Sequence, residues 1–155
     1  MTSPTGDTSA ADRSVRGAVY RHFVDTGEAP SARVLGEMLD RDEDSVRQSL
    51  ERLASARLLA LAPQTREVWM AHPFSAVATP YPVETGDRRY WANCAWDALA
   101  IPALLDVDAR ISTHCPDCGL PVDASVEHGR LEAPTEAVVH FFVRPARFWD
   151  DIGFT

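Results

Sequence analysis

The chain has 155 residues, 45% of them hydrophobic, which suits one compact domain or two very small ones with a real core. A formal net charge of −8 argues against a surface built to neutralise phosphates, since nucleic-acid affinity draws on clustered Lys and Arg. The longest nearly uncharged apolar stretch, around Ala98 to Leu105, falls far short of the ~20 residues that span a bilayer, and three cysteines cannot all pair, so a cytoplasmic protein with reduced thiols is expected.

Met1 to Asp12 is rich in Ser, Thr, Gly and Ala, with no apolar period and neither the basic start nor the apolar run of a signal peptide. Residues 1–12 therefore read as a disordered tail. From Ser14 to about Leu61 the pattern is that of three helices: Val15, Val19 and Phe23, then Val34, Leu35, Met38 and Leu39, then Val46, Leu50 and Leu53. Ser31 is placed to cap the second, and Asp42, Glu43 and Asp44 put negative charge at the positive end of the third. Leu58 to Leu61 and Val68 to Met70 then suit a short hairpin, so residues 13–72 are expected to form a winged-helix-like module. Its third helix carries Arg47, Arg52 and Arg57, but Glu43, Asp44 and Glu51 offset them, which favours packing over DNA recognition.

Residues 73–86, with the Pro-rich run Pro73 to Pro82, read as an extended surface crossing. Arg88 to Leu105 reads as a helix that Pro102 ends or kinks. Arg110 to Thr113 is a strand leading into the turn His114-Cys115-Pro116-Asp117-Cys118-Gly119, with Pro121 to Val126 returning. A turn at Glu127 to Arg130 and a third strand, Ala137 to Val143, complete a small antiparallel sheet. The expected class is α+β: a three-helix module followed by a small antiparallel sheet packed with the helix that carries Cys94 and Asp97.

Cys94 and Asp97 stand three apart, which on a helix places both on one face. A carboxylate tends to raise a neighbouring thiol's pKa, so the pair is not a simple activated nucleophile. It suits a site where a soft metal displaces the thiol proton and the carboxyl group handles it. Spacing alone favours a plainer reading, a buried cysteine serving as a small hydrophobe beside a locally capping aspartate. Cys115 and Cys118 form a CxxC turn, half of a tetrahedral zinc site; a structural zinc would need Cys94, His114, His128 or His140 to complete it across the fold. A tight turn with two thiols holding a hairpin is the alternative.

The run Asp87-Arg88-Arg89-Tyr90-Trp91-Ala92-Asn93-Cys94-Ala95-Trp96-Asp97-Ala98-Leu99, continuing to Ile101-Pro102-Ala103-Leu104-Leu105, resembles the catalytic helix of organomercurial (alkylmercury) lyases. Arg110 to Cys115, ending Ser112-Thr113-His114-Cys115, is similar to the family's following strand, and the helical N-terminal part also matches. The resemblance marks residues 87–155 as a catalytic domain, shorter at its C-terminal end than the family's. It implies protonolytic cleavage of carbon–mercury bonds, with Cys94 capturing the organomercurial and Asp97 passing a thiol proton to carbon. It implies no organic cofactor, Hg(II) as the bound product, and cellular thiols or a mercury reductase as its acceptor. The family uses a second cysteine toward the C-terminal end; here no cysteine follows Cys118, so Cys118, or Cys115, is the candidate for that second mercury ligand. A protein that binds or senses mercury or another thiophilic metal without turnover, and a winged-helix regulator, are the alternative functions.

Overall fold

The computed structural model describes residues 8–154. Three helices come first: α1 (Ala10–Thr26), α2 (Ala32–Leu39) and α3 (Glu43–Ser55). Each begins on an oxygen cap. The Ser9, Ser31 and Asp42 side chains accept from the backbone N–H of Asp12 (3.0 Å), Val34 (3.2 Å) and Ser45 (2.8 Å), satisfying donors that a helix start leaves open. Val15, Val19, Phe23, Leu35, Val46, Leu50 and Leu53 are all buried where the three helices meet.

Residues 1–7 of the expected tail lie outside the described residues, and its remainder requires a correction, since Ser9 caps α1 and Ala10 to Asp12 form its first turn. That turn shows no apolar period because its anchor is ionic. Asp12 is buried and takes Nη2 and Nε of Arg52 at 2.7 and 3.1 Å. The hydrogen-bonded Arg52 guanidinium holds the Asp12 carboxyl at about 2, with burial opposing and Ser9 and Ser49 assisting. A carboxyl whose folded pKa is depressed stabilises the fold above its unfolded value of 3.8 and loses that contribution as pH falls towards 2. We expect Asp12→Asn to cost on the order of 1 kcal/mol at pH 7, the half-exposed Arg52 letting solvent screen the rest. Urea unfolding at pH 7 and again near pH 2 checks this: the variant and wild type should differ at the first and converge at the second. Equal stability at pH 7 would mean that the pair contributes nothing.

A three-stranded antiparallel sheet follows, β1 (Ala60–Leu61), β2 (Val68–Ala71) and β3 (Phe74–Ser75), in that order. The second sheet has five antiparallel strands: β4 (Pro82–Thr85), β5 (Arg88–Trp91), β6 (Ala109–His114), β7 (Pro121–Glu127) and β8 (Arg130–Glu132), ordered β5-β4-β6-β7-β8. A fourth helix, α4 (Ala95–Leu105), joins β5 to β6, packs on β4 and buries Ala98, Ile101 and Pro102. The fold is α+β with antiparallel sheets, and one buried cluster runs through both halves.

Three further expectations are overturned. The supposed surface crossing, residues 73–86, contains β3 and the interior strand β4; Phe74 and Val83 are fully buried. Its prolines sit where they remove no central ladder bond: Pro73 precedes β3, and Pro82 opens β4 opposite Trp91. Phe74 stacks on Phe23 (5.3 Å between centroids) and meets Tyr90 (5.4 Å), so it joins the two halves.

The supposed helix from Arg88 is strand β5 up to Trp91. Distant partners decide this, since the Tyr90 hydroxyl and the Arg88 guanidinium both donate to the Val24 carbonyl at the end of α1, each at 2.9 Å. The far end is as expected: α4 carries Pro102 inside it, runs to Leu105 and closes on an αL cap at Asp106. The third strand of the predicted sheet is β8, not Ala137 to Val143. That apolar run has no regular structure; Val138 and Phe142 are exposed, and Phe141 packs its ring near Trp96 (6.3 Å). After it, Pro145–Asp150 forms a short 3-10 helix.

Candidate active site

The chain leaves β5 at Trp91, and the Thr79 hydroxyl holds the Ala92 carbonyl (2.6 Å) before the backbone turns into α4. Cys94 is therefore the N-cap of α4, not a residue on its face, with extended backbone angles (φ −151°, ψ 177°). Asp97 is the third residue of the helix. The proximity expected from a shared helical face is present for a different reason: a cap side chain reaches over the first turn to the N–H of the third residue. The Cys94 sulfur accepts from the Asp97 N–H at 3.5 Å.

Opposing influences act on that thiol. Burial raises its pKa most, and the Asp97 carboxylate raises it further, while the N–H groups of Asp97 and Trp96 at the helix start lower it. The net shift is upward, so at neutral pH Cys94 is held as a thiol. A thiophilic cation that binds it must displace a proton, and Asp97 is the acceptor alongside.

Asp97 is itself held from the other side. Its Oδ2 accepts from the Asn93 amide at 3.1 Å and lies 3.3 Å from His72 Nδ1. The same Asn93 amide nitrogen reaches the carbonyls of Pro73 (3.1 Å) and Phe74 (3.3 Å), so its two hydrogens are already committed to oxygen acceptors. With the hydrogen on Nδ1, His72 donates to Asp97 Oδ2, the tautomer that leaves no acceptor facing the carboxylate, while the Asn93 nitrogen 3.3 Å from Nδ1 turns its hydrogens to the oxygens. Both bonds run to Oδ2; Oδ1 accepts neither.

His72 was not foreseen from the sequence. It opens the turn between β2 and β3, its carbonyl accepts the Tyr20 hydroxyl (2.8 Å), and its ring meets Trp149 edge-on at 6.0 Å. No spacing rule links it to Asp97, 25 positions away. Aromatic side chains from the C-terminal residues border this place: Phe141 against Trp96, Phe148 against Phe141, and Trp149 against His72. Beside it, Arg13, Arg16, Tyr20, Pro73 and Leu104 line a cleft that reaches His72.

Cys115 and Cys118 occupy the tip of the β6–β7 hairpin. The Cys115 N–H donates to the Leu120 carbonyl (2.8 Å), the Gly119 N–H donates to the Cys115 carbonyl (2.9 Å), and Gly119 turns the chain with φ +72°. In the sheet, β4 lies between β5, which leads to Cys94, and β6, which leads to Cys115. Two inter-strand spacings separate the two exits, about 10 Å between backbones. Among the described residues no three His, Cys, Asp or Glu side chains converge as a metal-holding group, so Cys94 does not join Cys115 and Cys118 in one. The wider zinc set is likewise not assembled. His128 sits in the β7–β8 turn, at the opposite end of β6 from His114 and Cys115, and His140 meets Phe142 edge-on.

These features define a class: an α+β protein whose cysteine caps a helix beside a carboxylate that an imidazole and an amide hold in place. Residues 74–154 match the family described as alkylmercury lyase, and the chain belongs to that family. A solved structure, the mercury-bound form of MerB2, shares the fold with a TM-score of 0.69 at 19% sequence identity. The likeness covers 86% of this chain and 64% of that one, so this chain spans less than two thirds of that protein's length.

Proposed function

We propose that the protein cleaves carbon–mercury bonds by protonolysis, releasing a hydrocarbon and Hg(II). The observation that carries this is the Cys94–Asp97 pair: a thiol kept protonated in contact with a carboxylate, at the start of a helix within the matched region. Cys94 displaces the leaving ligand of R–Hg–X, forming the sulfur–mercury bond of R–Hg–S(Cys94) and releasing a proton and X⁻. A second thiol then adds to mercury and gives its proton to Asp97. Asp97 delivers that proton to the mercury-bound carbon as the carbon–mercury bond breaks, its electron pair becoming the new C–H bond. The products are R–H and mercury held between two sulfurs. Because Cys115 and Cys118 lie beyond β4 and next to each other, the second thiol in this scheme is a small cellular thiol from the cytoplasm. Such thiols or a mercury reductase then remove the ion, and no organic cofactor is needed.

The test is gas-phase detection of methane or benzene from methylmercury or phenylmercury with purified protein in excess thiol. Release should exceed that from thiol alone and should rise with thiol concentration. Tight retention of mercury with no hydrocarbon would favour the second reading, a mercury-binding protein without turnover.

In this scheme His72 is a positioning residue that keeps Asp97 turned towards the sulfur. His72→Ala should lower kcat by about 10–100-fold, the usual effect of losing such a support, with little change in KM. His72→Asn, whose amide can replace Nδ1–H, should recover much of the loss. An alanine variant as fast as wild type would remove His72 from the mechanism.

The three helices with β1 and β2 form, in this reading, a winged-helix-like module used for packing. Two of its α3 arginines are taken by acids of the same chain, Arg47 by Glu43 (2.6 Å) and Glu67 (3.1 Å) and Arg52 by Asp12, and its Tyr20 steadies the His72 turn.

A further inference from the structure

The Cys115–Cys118 turn plays no part in the chemistry at Cys94. Nor is it used for packing, since Cys118 is exposed, Cys115 is only half-buried, and neither belongs to the buried cluster. No disulfide joins them. Yet the turn is built around the sulfurs. The Cys115 N–H and carbonyl are tied to Leu120 and Gly119, Pro116 presets the backbone at the next residue, and Gly119 supplies the left-handed step. Two free thiols three residues apart thus emerge from one tight turn at the hairpin tip, and thiols so placed bind metal once their protons are displaced.

We infer that Cys115 and Cys118 form a second thiophilic-metal site, separate from Cys94, which chelates Hg(II) between two thiolates. The coordination number selects the ion. Zinc asks for four ligands, and among the described residues no third His, Cys, Asp or Glu converges on the pair. A soft cation content with two sulfurs needs nothing more. The exchange balances: two sulfur–mercury bonds form, the two bonds to mercury's previous chloride or glutathione ligands break, and those ligands and the two thiol protons pass to solvent. The proposed cleavage reaction is invoked only as a source of the ion, so the site can be tested without it.

The experiment uses the full chain with Cys94→Ser, which leaves the hairpin as the only source of thiols. This protein is fully reduced, titrated with inorganic mercuric chloride against excess glutathione, and followed by sulfur-to-mercury charge-transfer absorption, native mass spectrometry and free-thiol counting. One Hg(II) retained per chain with loss of both thiols is expected, and zinc chloride should not compete. Adding Cys115→Ser or, separately, Cys118→Ser should abolish retention against glutathione; both substitutions lie at an exposed tip, and circular dichroism checks that the fold is kept. No retained mercury in the Cys94→Ser chain, or retention with only one thiol consumed, would overturn the proposal. Because the probe is inorganic, failure to release hydrocarbon from organomercurials leaves this result unchanged, and the converse also holds.

Discussion

Replacing Cys94 by serine is expected to bring hydrocarbon release down to the rate of thiol alone, a loss of at least about a thousandfold, in line with removal of a covalent-capture group. A hydroxyl is a hard oxygen donor with little affinity for mercury, so the capture step disappears while the geometry stays. The cap position makes this an unusually clean variant. Serine is a preferred N-cap, and its oxygen can take the Asp97 N–H that the sulfur takes now at 3.5 Å. Thermal stability should therefore be equal to or slightly above that of wild type, so a lost rate cannot be blamed on a lost fold. Measured side by side, a serine variant that releases methane or benzene as fast as wild type would end the proposed mechanism.

Asp97→Asn should act in two opposite directions. Removing the carboxylate takes away one of the influences that raise the Cys94 pKa, although burial, the larger one, remains. The thiol then ionises at lower pH, and its alkylation by iodoacetamide near pH 8 should be faster than in wild type. Wild-type alkylation should keep rising with pH beyond the ordinary thiol value of 9.0. Hydrocarbon release should instead fall by about 10²–10⁴-fold, the usual span for loss of a general acid, because the amide cannot carry the proton to carbon. Faster alkylation together with slower protonolysis is a signature that general loosening of the site would not give. Slower alkylation, or turnover at the wild-type rate, would separate Asp97 from the roles assigned to it.

Much of the N-terminal half was legible because its signals are local. Ser31 and Asp42 cap where side-chain oxygens should, and the apolar residues of α2 and α3 recur at helical spacing. The hairpin around Cys115 to Gly119 was legible too, since proline and glycine mark its turn and the flanking strands alternate. The start of α1 was not, because Asp12 is anchored by an arginine 40 positions away. Arg88 to Trp91 misread as helix for a similar reason: the Val24 carbonyl that holds it as a strand belongs to another element. Ala137 to Val143 has a strand's composition but packs its Phe141 ring near Trp96 instead of pairing.

For the site, the sequence by itself determined that a thiol and a carboxyl group would be neighbours, because three residues at a helix start cannot place them far apart. It also determined that Cys115 and Cys118 would share a turn. Only the tertiary structure decided that Cys94 is a cap and not a face residue, that His72 and Asn93 grip Asp97, and that β4 stands between the strands leading to Cys94 and to Cys115. The strand order and the placing of His72, 25 positions from Asp97 and 21 from Asn93, depend on distant parts of the chain. Such contacts are set by the packing of Phe74, Tyr90 and Val83 in a shared core, and no local spacing rule records them.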